Sequence, residues 1–570
     1  MPWLGIFVVA AAVRLIYLKQ IQTIPYFDSP VGDAAAYDAW AQRIAAGDWV
    51  GKEAFYQAPA YPYFLGIIYS IFGRAPFAAR AVQAILGSLA CMFVARAGRQ
   101  FFGRQIGMAA GMLMAFYPPA VFFDGLIQKT SLATFFMASL LLLAGIVRDR
   151  AKWWHWLLIG LVLGLFGLTR ENALVLVLVF GGWLWLGFRG YAIAKRLAWT
   201  GLLVTGLALT LGPVAVRNYR VGGEFAITTV QAGPNFYIGN HPGATGRYVP
   251  LVRGHESPPF ERADAERLAE SATGRDLDAG EVSRYWLGLS WDYIVDSPLD
   301  WLALLGKKLL LVFNEYEITD VEGYNVYKGY SWVLAILGVV LHFGVICPLA
   351  AAGMAMAWPQ RKRVGILFAM VVALAGAVAI FYVMARYRFP LVPVMILFAA
   401  VGMVEGLKRM RSRDEGGLIV PALLLIAATV VCNLPINPER RLDSMAFANL
   451  AGVLAQRGDV QAATNVFRIA LEENPDSPEL HYNLGLAYLL QRQLGLAIEH
   501  LNRAKELDPD LIEVDYQLGV AYEVVGERER ALHHYQEALR INANDAEAKA
   551  AVTRLTGGAP EAQEESEPQP

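Results

Sequence analysis

Carboxylates at Asp33 and Asp124 and a pair of arginines, Arg386 and Arg388, stand out in a chain that is apolar over most of its first three quarters. A carboxylate within hydrogen-bond reach of a hydroxyl can take its proton. Guanidinium grips phosphate through two parallel N–H bonds. Each group also has a plainer use. In VGDAAAYDAWAQRIAAGDW, Asp33, Tyr37, Trp40, Ala41 and Ile44 have helical spacing, so Asp33 suits the N-cap of an amphipathic helix at the interface. Arg386 and Arg388, in RYRFPLVP beside an apolar run, suit snorkelling to the membrane surface. Asp124 follows YPPAVFF; a charge near hydrocarbon is costly and often functional, and a helix cap is its simpler role. Arg170 and Glu171 suit an ion pair closing a turn. Lys307 and Lys308, before LLLVFNEYE, suit either phosphate attraction or snorkelling, and Glu315 and Glu317 a polar rim.

Other chemistries find little support. No basic run is interleaved with aromatics as nucleic-acid binding needs. Cys91, Cys347 and Cys432 all lie in apolar stretches without metal-ligand spacing, and read as buried small hydrophobes rather than a disulfide framework. The histidines show no metal spacing in the apolar part.

The elements that must carry these residues are membrane helices. Of the 570 residues, 56% are hydrophobic and only 17% charged, against roughly 25% charged in soluble domains. About eleven stretches approach the length of a span, among them Gln105–Phe123, Trp153–Leu168, Ala173–Phe188, Tyr330–Ala357 and Gly365–Ala385. The opening MPWLGIFVVAAAV lacks a basic leader and a cleavage site, and reads as a first helix that is kept. Basic clusters fall on every second loop, at Arg96–Arg104, Arg148–Lys152, Arg189–Arg196, Arg361–Arg363 and Lys408–Arg413. Short basic loops stay cytoplasmic. That places the amino terminus inside, the loops 19–76 and 217–329 outside, and the carboxyl-terminal domain outside, which is periplasmic in a Gram-negative cell. Pro59–Gly73 is too short to span without inverting this order, and reads as interfacial or re-entrant.

From about Glu439 the character changes. Beyond that point lie 12 basic and 23 acidic residues, leaving 37 and 27 before it. Leu484, Gly485, Tyr488, Ala497, Leu501, Ala504 and Pro509 recur with near-equivalents 34 residues earlier and later, the tetratricopeptide period. The expected plan is therefore all-α: a polytopic membrane body over 1–438, a repeat solenoid over 439–556, and an acidic, Pro-rich disordered tail over 557–570. The repeats fall near 444–477, 478–511 and 512–545, with Ala543 in place of the closing Pro and a capping helix near Asp545–Leu555.

The D-x-x-x-Y turn after the first helix, a Pro-Tyr-rich segment, FG…AAR, TRENA at Thr169–Ala173, VRNYRVGGEF, GPNFYIGNHPGATGRY and RYRFPLVP resemble the GT-C membrane glycosyltransferases over Trp3–Gly406. The closest branch holds the protein O-mannosyltransferases and the lipid A aminoarabinose transferases. The resemblance implies an enzyme that moves a sugar from a polyprenyl phosphate to an acceptor on the outer face. An acceptor hydroxyl would attack an oxocarbenium-like anomeric carbon. It implies Asp33 as the base, Asp124 as a second acidic group, and Arg386, Arg388, Lys129 and Lys307 around the donor phosphate. Tyr37, Tyr61, Arg170, Asn235, Tyr237 and Asn240 would line the substrates, and Arg80 would meet lipid headgroups. Where many relatives carry a later acidic residue this chain reads Gln128-Lys129-Thr130, which puts Asp124 in question. Some relatives use a divalent ion between acidic residues, which here would lie between Asp33 and Asp124. The repeats would recruit a protein acceptor or partner. Two other classes compete: a lipid-linked sugar transporter or flippase, whose midplane charges are missing from the spans, and a membrane-anchored scaffold, for which one helix would suffice.

Overall fold

The computed structural model describes residues 2–252, 258–319, 321–436, 441–509, 511–542 and 545–557. Every element among them is helical. Ala543 and the tail beyond Gly557 lie outside the described residues. The chain divides into two units, Met1–Asp320 with Tyr327–Ile436, and Val321–Val326 with Asn437–Pro570.

Among the described residues of the first unit, seven helices are long and apolar enough to cross a membrane, or eight if a bent pair counts as one. The chain is a multi-pass membrane protein. The expected eleven differs at identifiable places. Trp153–Gly167 and Glu171–Gly187 stay below the length of a full span, and the apolar stretch Trp332–Ile380 is broken into the helices Trp332–Val340, Phe343–Ala357 and Arg361–Ile380, in keeping with two expected segments there. The expected span Gln105–Phe123 is instead Arg104–Phe116 and Pro118–Asp124, bent by 56°. Pro118 and Pro119 cause the bend: Tyr117, before them, is extended at φ −71°, ψ 111°, as the clash with a following proline demands. Ala60–Phe72 has 13 residues, roughly 20 Å at the helical rise, too short to span.

Small residues let the helices close up. A Cβ on Gly353 would lie 1.8 Å from the Phe398 carbonyl oxygen, so Phe343–Ala357 and Val392–Ser412 cross backbone to backbone. Arg14 and Asp124, both buried, pair at 2.7 Å between the first helix and the end of the bent pair.

The second unit alternates paired helices, Arg441–Gln456 with Val460–Glu473, Pro478–Leu490 with Leu494–Leu507, and Ile512–Val525 with Arg528–Ile541, followed by Ala546–Thr556. The recurring small and large residues fill its core: Ala451, Ala463, Phe467, Leu484, Tyr488 and Ala497 in one cluster, Leu501, Ala504, Leu518, Tyr522, Ala531 and Tyr535 in the next. Asp545 caps the last helix, accepting from the Glu547 and Ala548 amides at 3.0 Å each.

Candidate active site

Asp33 lies inside the first turn of Gly32–Ala45, whose N-cap is Val31 and has no side-chain cap bond. The capping role is thus overturned; the carboxylate points elsewhere. Oδ2 accepts from Arg386 Nη1, and Oδ1 accepts from Gln57 Nε2 at 2.9 Å. Gln57 is held by a pinned loop. The Phe55 amide donates to buried Asn218 at 3.1 Å, the Phe55 carbonyl accepts from Val230 N at 3.1 Å, and Ala60 N donates to Leu168 O at 3.0 Å. Arg217 lies over the Phe55 ring at 3.8 Å and donates to Val50 O and Glu53 O. The Arg217-Asn218 segment therefore works by holding the loop that presents Gln57.

Two more cations converge. Lys129 immediately precedes the helix Thr130–Asp149, is buried, and lies close enough to Asp33, Glu171, Arg170 and Arg386 to feel their charges. Burial, opposed by Glu171 and reinforced by Arg170, pulls its ammonium down to about 8. Arg170 is buried, donates to Thr130 Oγ1 at 2.9 Å and lies 5.1 Å over the Tyr387 ring. Burial brings it down to about 10. It is not paired with Glu171, which accepts from Thr229 at 2.9 Å. For Asp33 burial alone would raise the carboxyl, but Arg386 and then Lys129 outweigh it and hold the group below its ordinary value.

Hydroxyls extend the site. Arg386 Nη2 reaches Tyr387 Oη at 3.5 Å, Tyr387 meets Tyr382 Oη at 3.5 Å, and Tyr382 donates to Asn235 Oδ1 at 3.0 Å. Tyr37 is buried, and its hydroxyl and Arg170 Nε have no protein partner. One carboxylate meets three buried cations, with Glu171 close to Lys129 and Arg170 and Glu261 acting on Tyr382 from further out, so the positive charge around Asp33 favours an anion. The site forms where helices end: Thr130–Asp149 and Ala385–Ser412 begin there, and Trp332–Ile380 stops just before Tyr382.

Several expected site residues serve elsewhere. Asp124 is buried away from this cluster, Oδ2 accepting from Arg14 Nε at 2.7 Å and Oδ1 from Ser131 Oγ at 2.6 Å, so its charge is matched by Arg14 within the helical core. Asp33 and Asp124 share no partner, and among the described residues no three His, Cys, Asp or Glu gather as metal ligands. The residues present do not fit a metal between those two carboxylates. Arg388, two positions after Arg386, turns into the core instead. It donates to the carbonyls of Val312, Asn314 and Tyr316, pairs with Glu317 at 2.9 Å, and covers Phe343 at 4.1 Å. Lys307 is exposed while its neighbour Lys308 is buried on Asn240 Oδ1 at 3.0 Å. Asn240 also takes Trp301 Nε1 and donates to Phe236 O and Ile380 O, a saturated strut. Tyr237 stacks on His241 and leans tilted against Trp286, packed on the small apolar cluster of Ala265, Ala269, Val282 and Trp286. Tyr61 is wholly buried, its hydroxyl on Gln83 at 2.6 Å. Arg80 is buried on Gly125 O and Phe27 O rather than at headgroups.

Comparison with known proteins agrees with this architecture. Residues 56–215 match the dolichyl-phosphate-mannose-protein mannosyltransferase family, and residues 449–512 match the tetratricopeptide repeat. The chain therefore joins a multi-pass membrane body, part of which is similar to that mannosyltransferase family, to tetratricopeptide repeats. No curated protein matches the full sequence significantly. Among solved structures, the oligosaccharyltransferase AglB from Archaeoglobus fulgidus, in complex with an inhibitory peptide and a dolichol-phosphate, is similar at 14% identity and a TM-score of 0.40, over 78% of this chain and 55% of that one. ArnT from Cupriavidus metallidurans, bound to undecaprenyl phosphate, is similar at 17% identity and 0.35, over 71% and 79%. The first tetratricopeptide domain of Spaghetti (RPAP3), bound to an HSP90 peptide, is similar at 18% identity and 0.21, over 21% and 94%. The chain thus spans little more than half of the archaeal protein's length.

Proposed function

We propose that this protein transfers a sugar from a polyprenyl-phosphate donor to an acceptor hydroxyl at the outer face of the membrane, with the repeats recruiting a protein acceptor or partner. The observation that carries the reading is the meeting of one ionised carboxylate with Lys129, Arg170 and Arg386 at the ends of apolar helices. A lipid phosphate is an anion delivered at a bilayer surface, and such a pocket suits its headgroup. Lys129 and Arg170 would hold the departing phosphate, with the free Nε of Arg170 among its donors. The acceptor oxygen bonds to the anomeric carbon, the bond from that carbon to the phosphate oxygen breaks, and the electron pair leaves with the lipid phosphate. Asp33 takes the hydroxyl proton through a lone pair left by Gln57 and Arg386. The Arg386 charge keeps Asp33 ionised for that task, and the Tyr37 hydroxyl is placed to bind sugar or acceptor.

The outward placement is supported by two helices. Thr130–Asp149 and Ala385–Ser412 start at the site and end in basic residues, Arg148 in one and Lys408, Arg409 and Arg411 in the other. Basic ends favour the cytoplasm, which puts the site opposite. The test is reconstitution in vesicles with a panel of polyprenyl-phosphate sugars, following release of lipid phosphate. Turnover with at least one donor supports the proposal; no release with any of them overturns it.

A further inference from the structure

Gln83 occupies the seam between the two halves of the site. It lies on Pro76–Phe102 and is wholly buried. Its Oε1 accepts from the Tyr61 hydroxyl at 2.6 Å. Its Nε2 donates to Asp124 O at 3.1 Å and to Leu126 O at 2.6 Å. Both amide hydrogens and the carbonyl oxygen are therefore in use. On one side, the Tyr61 ring meets the edge of Tyr37 at 5.3 Å between centroids, and Tyr37 stands one turn after Asp33. On the other, the carbonyls of Asp124 and Leu126 belong to the turn that runs into Lys129. Ala34, Tyr37, Tyr61, Ala79 and Ile127 pack in a single apolar cluster around this point. Apolar packing resists separation but does little to fix register, since it is not directional. Hydrogen bonds are directional, and in this cluster the Gln83 amide reaches both the Tyr61 side and the turn.

We infer that Gln83 is a positioning residue for sugar transfer, fixing the distance between the Asp33 helix and the Lys129 turn. The inference rests on the transferase reading. It separates two effects of disturbing the seam. Tyr61→Phe cuts only the arm towards Asp33 and keeps the volume. Gln83→Leu cuts both arms and leaves two carbonyls without their donor.

The experiment uses the full chain in nanodiscs, with undecaprenyl phosphate as the binding probe and the donor that supports wild-type turnover. Tyr61→Phe is expected to lower kcat by about 10- to 100-fold, the scale of a misplacement near 1 Å, while undecaprenyl-phosphate affinity stays at the wild-type level. Gln83→Leu is expected to lower kcat and weaken undecaprenyl-phosphate binding together. If both variants keep wild-type kcat and Kd, with losses only in melting temperature, Gln83 is a structural residue and the inference fails while the transferase reading stands. If Gln83→Leu does not fold, Tyr61→Phe decides alone: full kcat in that variant overturns the inference. A wild-type protein silent with every donor sinks the transferase reading and this inference with it.

Discussion

Raising the pH from about 7 to 9 should discharge Lys129 and loosen the grip on lipid phosphate. The ammonium is buried and has been drawn down to about 8 by loss of water, against the opposing pull of Glu171. If only the charged form binds, apparent affinity scales with the protonated fraction, which falls from roughly nine-tenths at pH 7 to one-tenth at pH 9, a loss of about tenfold. The ligand does not confound this, because a phosphate monoester loses its second proton near pH 6. Stability moves the other way. Between about 8 and 10.4 the unfolded chain binds more protons at this lysine than the folded one does, so folding gains from rising pH. Weaker binding at pH 9 therefore cannot be blamed on this lysine unfolding the protein. The assay is undecaprenyl-phosphate binding to the full chain in nanodiscs across that range, for wild type and Lys129→Gln. Lys129→Gln should bind at the alkaline wild-type level and show no slope. A flat wild-type profile, or an unchanged slope in Lys129→Gln, would refute the placement of Lys129 at the phosphate.

Arg388→Ala should destabilise the membrane body by about 3–5 kcal/mol, because it strands half-buried Glu317 and three carbonyls, yet leave undecaprenyl-phosphate affinity per folded molecule unchanged; thermal melts and binding read the two separately. Asp124→Leu should cost a similar amount, about 3–5 kcal/mol, by leaving Arg14 buried and unpaired, and the double variant Arg14→Leu/Asp124→Leu should recover part of it in the same melts. Gly519→Leu drives a side chain into Tyr535 and should destabilise the repeats by about 1–3 kcal/mol without altering lipid binding by the body, as hydrogen exchange of each region would show.

The repeats were legible because their signal is redundant: a 34-residue spacing fixes small and large residues three times over, and Leu484, Tyr488, Ala497 and Tyr535 occupy the cores that spacing demands. In the membrane body charge in an apolar chain made Asp33, Arg386 and Arg170 conspicuous, while the resemblance to GT-C enzymes brought in Lys129 and suggested what Asp33 and Arg386 would do. Neither could tell Arg386 from Arg388. Both stand in the same turn, and only the carbonyls presented near Val312–Tyr316 decide which guanidinium is consumed. Lys307 and Lys308 failed the same way, adjacent on one helix with opposite exposures. Asp124 looked functional because it is charged near hydrocarbon, but its partner Arg14 lies 110 residues earlier, beyond any local pattern. Gln57, Gln83 and Tyr382 escaped notice because neutral polar residues carry no such flag, and their roles exist only through partners brought together by folding.

The most direct measurement compares wild type with Asp33→Asn for both lipid-phosphate release and undecaprenyl-phosphate affinity. Removing the negative charge from a pocket of three cations should hold or tighten affinity, while losing the base lowers turnover by about 10²- to 10⁴-fold. Asp33→Asn turning over at the wild-type rate, or losing its hold on undecaprenyl phosphate, would contradict the account.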